Sequence, residues 1–251
     1  MFKTYFMLLL LGHVLGDYYI QTNNVARKKE DSLRWLFVHC ICYWFTILIL
    51  CAPIMSWEIF SVGTGAAILH TLVDVLKFVY IRSIRKQDKM TLIIDRNVYF
   101  ADQLLHLLCI VVISYIAEVY IAGLYENPLI IHFFDTLGIS GYKILTWLVA
   151  LLLIHRPANI TISKLLAIFR PESSPGDKDK SNSAGKLIGT IERIIILILI
   201  SIGEYSAIGL VLTAKSIARY DKISKVKDFA EYYLLGTLIS TMIVIIVSLI
   251  F

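Results

Sequence analysis

Three pairs of imidazole and carboxylate side chains recur with the same spacing: His13 with Asp17, His70 with Asp74, and Asp102 with His106. An interval of four residues puts both members of a pair on one helix face, about a turn apart. His39 adds a fourth imidazole in a separate apolar run. Histidine and aspartate together are ligands for zinc, manganese or iron. Two such clusters can hold a pair of metals about 3.5–4 Å apart, as in hydrolases. His13, Asp17, His39, His70, Asp74, Asp102 and His106 are therefore the candidate ligands of a divalent transition metal. Lys77, three residues past Asp74, is placed to hold an anionic substrate group or a carboxylate, and Gln21 extends the polar face of Asp17. In a hydrolytic site one aspartate acts as base instead of ligand. Asp17, Asp102, Lys77 and Gln103 are the catalytic candidates. One pair alone could be an internal hydrogen bond. Three pairs and a further histidine favour a shared site for metal or protons.

The segments that carry these residues are apolar and long. Apolar residues make up 58% of the chain and charged residues 17%, against roughly 45–50% and about 25% in soluble domains. A bilayer core of about 30 Å needs roughly 20 apolar helical residues to cross it. Spans are expected at 4–24, 33–55, 59–82, 98–122, 142–155 and 231–251, with 187–213 as a further apolar run broken at Gly203-Glu204. The fold class is all-α, a polytopic transmembrane helical bundle of six or seven spans, depending on whether 187–213 crosses or re-enters. A charged side chain at the bilayer centre costs at least about 2.5–3.5 kcal/mol on insertion scales, so the His/Asp set needs partners.

Basic residues gather at 26–34, 82–89 and 156–186. With those loops cytoplasmic, spans one to five alternate and the N-terminus is extracytoplasmic. The His and Asp side chains then share a layer in the cytoplasmic half of the membrane. The opening Met1-Phe2-Lys3 lacks a small-residue cleavage site downstream and reads as a retained first span. The four cysteines lie in apolar runs with no paired framework, so disulfides are not expected. The net charge of +5 suits basic loops, and no nucleic-acid partner is expected.

Three regions follow. Residues 1–125 form a four-helix membrane core with the His/Asp site. Residues 126–186 hold an extracytoplasmic loop, the fifth span, an amphipathic stretch over Arg156–Phe169 suited to the membrane surface, and a mobile Pro/Ser/Gly-rich linker at 171–186. Residues 187–251 hold the C-terminal membrane helices. There Arg193, Lys215 and Arg219 are candidates for a lipid phosphate or for the interface. His132 and His155 fall at loop or span ends and read as surface residues.

The run His13-Val-Leu-Gly16-Asp17-Tyr-Tyr-Ile-Gln21 resembles the opening of a bacterial membrane family known as domain of unknown function 3307. His39, His70-x-x-x-Asp74-x-x-Lys77 and Asp102-Gln103-x-x-His106 share that resemblance, which covers about the first 125 residues. The second half looks like the longer members of the family. The resemblance implies an inner-membrane location in a bacterial cell and carries no activity with it.

Four functions compete on the sequence. One is a metal-dependent hydrolase acting on a lipid-linked or amphiphilic substrate. Another is a metal-ion or proton transporter through the same residues. A haem protein would use the histidines but not the aspartates beside them. A signalling or assembly protein would keep the metal for structure. Membrane lipids are the expected surroundings in every case.

Overall fold

A computed structural model describes residues 1–121, 128–170 and 178–250. Every regular element among them is helical. The chain divides into two compact units, Met1–Val149 and Ala150–Phe251.

In the first unit, α1 (Phe2–Val14) continues into a π-helical turn, Leu15–Ile20. A short polar helix, α2 (Asn23–Asp31), leads to α3 (Leu33–Cys51). Two long helices follow, α4 (Trp57–Lys86) and α5 (Leu92–Tyr120). Ser56 and Thr91 cap these two, each accepting from the backbone N–H three residues on. Both helices therefore begin before their apolar runs and extend past the expected spans. Past residues 122–127, the end of the expected fourth span and the start of the loop after it, which lie outside the described residues, Pro128 opens α6 (Pro128–Leu137).

Helix α7 (Gly141–Leu165) runs through the boundary between the units. The expected fifth span and the expected surface stretch from Arg156 are thus one helix. Together with the 3₁₀ turn Leu166–Phe169, it is long and apolar enough to cross a membrane. The second unit continues with α8 (Lys178–Ser201), α9 (Tyr205–Ile217), α10 (Tyr220–Lys225) and α11 (Lys227–Ser248). Of the expected linker, 171–177 lie outside the described residues and the rest opens α8. The break at Gly203 is real: its φ of +79° ends α8, and Glu204 N–H closes on Leu199 O in the manner of a glycine C-cap.

Among the described residues five helical stretches are long and apolar enough to cross a membrane: Leu33–Ile54, Trp57–Lys86, Leu92–Tyr120, Gly141–Phe169 and Lys227–Ser248. On two of them, α3 and α4, large apolar side chains face outward while polar ones are buried. On α3, Phe37, Ile41, Phe45 and Ile49 form an i, i+4 stripe and all are more than half exposed, while His39, Tyr43 and Thr46 are buried. Helix α4 repeats this, with Leu72 and Leu76 outward and His70 and Asp74 inward. An apolar exterior around a polar interior is the arrangement a hydrocarbon solvent selects.

Small residues let the polar interior close. A Cβ on Gly12 would lie 2.9 Å from Ile47 Cγ1, and one on Gly16 would lie 2.6 Å from Tyr43 Cδ2. The α1–α3 approach is therefore set by these two glycines. Tyr43 is in turn stacked on the His70 ring, with centroids 3.7 Å apart, so Gly16 is coupled to the site through one aromatic ring. Gly16→Ala is expected to destabilise the protein by about 1–3 kcal/mol through overpacking. Gly65→Ala, whose Cβ would make an ordinary 3.5 Å contact with Ile113, should be near neutral. Thermal unfolding in detergent checks the pair, and equal behaviour of the two variants would contradict the close-approach argument.

Candidate metal centre

The first unit brings all seven His/Asp candidates into its interior. Asp17 leaves the π-helical turn toward α3 and α4, while the next residue, Tyr18, points to α5. The wider turn separates the two directions, and π turns recur at functional positions. Asp17 Oδ1 lies 3.3 Å from His39 Nε2 and 3.5 Å from His70 Nε2. Asp74 Oδ2 lies 3.4 and 3.6 Å from the same two nitrogens. The two nitrogens are 3.2 Å apart. Each of the two carboxylate oxygens thus contacts both ring nitrogens, which brings together α3, α4 and the turn after α1.

These separations are close to ligand spacings. A tetrahedron with ligands about 2.0–2.1 Å from its centre has edges of roughly 3.3–3.4 Å. Hydrogen bonding joins the two ring nitrogens to each other and Asp74 to Lys29, and leaves Asp17 Oδ1 out. Asp17 Oδ1 is buried and accepts no hydrogen bond, despite two ring nitrogens beside it. One ring nitrogen is in hydrogen-bond contact with the other, and neither N–H is directed at the Asp17 carboxylate. Among the described residues, three groups have the ligand spacing for a metal ion: His13, Asp17 and His70; His39, His70 and Asp74; and Asp74, Asp102 and His106.

The charges are nearly, but not fully, balanced. Asp74 Oδ2 accepts from Lys29 Nζ at 3.2 Å. Asp102 Oδ2 accepts from Lys77 Nζ at 2.8 Å and from Gln103 Nε2 at 3.1 Å. Asp17, only 9% exposed in its side chain, has imidazoles as its charged-pair neighbours: His13, His39 and His70. Three carboxylates face two ammonium groups. The remaining negative charge lies at Asp17, beside His39 and His70, so a cation there is favoured by charge as well as by geometry.

The site's outer contacts hold it in shape. His106 Nδ1 donates to the backbone oxygen of Asp102 at 2.9 Å. Tyr18 OH donates to Gln103 Oε1 at 2.7 Å and lies 3.0 Å from Tyr99 OH. Gln21 also turns inward, its Oε1 buried without a partner.

A profile described as "Protein of unknown function (DUF3307)" matches residues 5–133. The chain belongs to this family. No curated protein and no solved structure matches it. The DUF3307 stretch contains all seven candidate ligands, together with Lys29, Lys77 and Gln103.

Lys29 was not singled out by its sequence context, a charged run expected to be a loop. It lies on α2, where Val25 and Ala26 precede it by four and three residues and turn the same face inward. That spacing is the only trace it leaves in the sequence. Glu30 and Asp31 on the same helix pair with Arg85 of α4, so α2 is fastened beneath the site.

The remaining candidates lie in the second unit. The Arg193 guanidinium is 1% exposed and donates to Ile154 O at 2.6 Å, Asn159 Oδ1 at 2.7 Å, Thr190 Oγ1 at 3.1 Å and Ser240 Oγ at 3.2 Å. Lys215 Nζ pairs with buried Glu192 at 2.5 Å. Arg219 is half-buried, while His132 and His155 are exposed as expected. Arg193 thus joins α7, α8 and α11 within its unit.

Removing the Lys29 ammonium leaves Asp74, 2% exposed, without its cationic partner. Lys29→Met is expected to lower stability by about 3–5 kcal/mol in chelator-treated protein. Lys28→Met removes an exposed contact over the Trp35 ring and should cost about 0.5–1 kcal/mol. Denaturant unfolding in detergent measures both, and similar small losses would show that Lys29 does not hold the site.

Proposed function

We propose that this chain is an integral membrane protein with a divalent transition metal held by Asp17, His39, His70 and Asp74. The observation that carries the proposal is a buried pair of ring nitrogens, His39 Nε2 and His70 Nε2, each with carboxylate oxygens of Asp17 and Asp74 at 3.3–3.6 Å, in an interior short of positive charge. Nitrogen and carboxylate donors without thiolate suit zinc, manganese or iron. The α1 helix with its π-helical continuation is a crossing of its own, which makes six, and α8 with α9 supplies a seventh as a crossing or a hairpin. With the basic loops read as cytoplasmic, the proposal includes an extracytoplasmic N-terminus and a bacterial inner membrane.

The activity we propose is hydrolysis of an amphiphilic, lipid-linked substrate with an anionic head. A divalent ion supplies Lewis acidity and brings water into its reactive range near neutral pH. The chain's own residues do the rest. With one divalent ion, the three carboxylates and two ammonium groups leave the interior one positive charge in excess, which draws an anion. Lys77, 20% exposed in its side chain, faces both Asp102 and the outside of the cluster and is placed to hold that anion. Asp102 accepts the proton of the attacking water, its hydroxyl oxygen joins the electrophile, and Lys77 returns a proton to the departing oxygen. Gln103 orients Asp102. Arg193 and Lys215 are already occupied by protein groups, so lipid phosphate contact falls to Arg219.

One observation favours a second reading. Asp17, His39, His70 and Asp74 would supply four protein ligands, and closed four-ligand sites are usual where zinc does no catalysis. The same residues would then form a transit site for a metal ion, although fixed ammonium groups at Lys29 and Lys77 repel a passing cation.

Elemental analysis of the purified protein should find bound transition metal. His39→Ala and Asp74→Ala should weaken its binding by more than about 100-fold. Wild-type protein should then release the fluorophore from a fluorogenic alkyl phosphodiester in micelles, dependent on the metal and on Lys77. Metal flux into proteoliposomes without such release would favour transport. Wild-type protein free of metal after loading would overturn the metal site itself.

A further inference from the structure

The four atoms of the first position use only part of the polar interior. His13, Asp102 and His106 remain, at 5%, 5% and 1% exposure. Each presents one buried atom with no hydrogen-bond partner: His13 Nδ1, Asp102 Oδ1 and His106 Nε2. The protons around them can be assigned. Gln103 donates through Nε2 to Asp102 Oδ2 at 3.1 Å, which fixes its amide. Its Oε1 is then the acceptor 3.3 Å from His13 Nε2. His13 carries its proton on Nε2 and keeps a lone pair on Nδ1. His106 donates from Nδ1 to a backbone carbonyl and keeps its lone pair on Nε2. Asp102 Oδ2 is occupied by Lys77 and Gln103, which leaves Oδ1.

Three acceptors therefore stand in one interior without a donor, and each such buried group costs about 1–3 kcal/mol when unmet. A single water molecule has two hydrogens and serves at most two of them. His13 Nδ1 also faces Asp17 Oδ2 at 3.9 Å, with no proton between the two acceptors. The His13 and His106 rings are stacked with centroids 5.0 Å apart. Asp74, Asp102 and His106 each offer a ligand atom within 4.8 Å of the others. Imidazoles whose second nitrogen is fixed by a carbonyl or amide oxygen are the usual form of metal-ligating histidine.

We infer that the chain holds a second divalent cation on Asp74, Asp102 Oδ1 and His106 Nε2, next to the first and sharing the Asp74 carboxylate with it. The inference rests on the metal reading proposed above and extends it to a paired centre, in which Asp102 is a ligand and not the base that it is with one ion bound. Two divalent ions outweigh the carboxylates and leave a strongly positive interior. The ligand class that offsets this is a phosphate-type oxyanion, whose oxygens span two metals about 3.5–4 Å apart.

The test strips the purified protein with chelator and reloads it with Mn²⁺ by equilibrium dialysis, with inorganic phosphate present. Bound metal is counted by elemental analysis, and coupling between ions is read by electron paramagnetic resonance. Two ions per chain with a spin-coupled signal are expected in wild type, and one uncoupled ion in Asp102→Asn and in His106→Gln. One ion in wild type, unchanged in both variants, overturns the second position and leaves the first standing. Two ions that persist in both variants overturn the assignment to these residues. No bound ion in wild type removes the first position and, with it, this one.

Discussion

A carboxylate surrounded by apolar helices must find positive charge, and three of them lie within one layer of this protein. Asp74 finds Lys29 and Asp102 finds Lys77. Asp17 finds imidazoles alone. Much of the first unit follows from this requirement. The α2 helix folds back so that a lysine from a polar segment reaches the interior. The π-helical turn aims Asp17 at two histidines from different helices. Gly12 and Gly16 let α1 approach α3 closely enough for those contacts to form.

The same balance connects packing to chemistry. The helices present leucine, isoleucine and phenylalanine outward, so the interior is sealed and its effective dielectric is low. Electrostatic interactions inside are correspondingly strong. On the proposed metal reading, a cation beside Asp17, His39, His70 and Asp74 would complete the balance that the lysines leave unfinished, and the slight positive excess would select an anionic partner. In the second unit a different solution serves a different end. The Arg193 guanidinium is surrounded by a carbonyl, an amide and two hydroxyls, which satisfies its donors and ties three helices together.

The heart of the site was legible because helical spacing is a strong constraint. His13 and Asp17, His70 and Asp74, and Asp102 and His106 share faces by arithmetic, and a charge in an apolar run demands a partner. Lys29 was not legible, since a lysine in a charged run gives no sign that a short helix turns it inward. Tyr43 and Tyr18 resembled ordinary aromatic residues, and their roles depend on which helices become neighbours. The π-helical turn has no sequence signature of its own. Helix ends shifted outward because Ser56 and Thr91 cap before the apolar residues begin. The surface stretch expected from Arg156 became part of α7, because charge at the end of an apolar run does not by itself stop a helix. Arg193 looked like an interfacial anchor until its acceptors on α7 and α11 came into view.

The most direct measurement is X-ray absorption at the metal edge of purified, zinc-loaded protein. A shell of nitrogen and oxygen ligands only, at about 2.0–2.1 Å and with the outer scattering of imidazole rings, is the result expected if Asp17, His39, His70 and Asp74 hold the ion. A sulfur ligand, or a water-rich shell without imidazole, would contradict it.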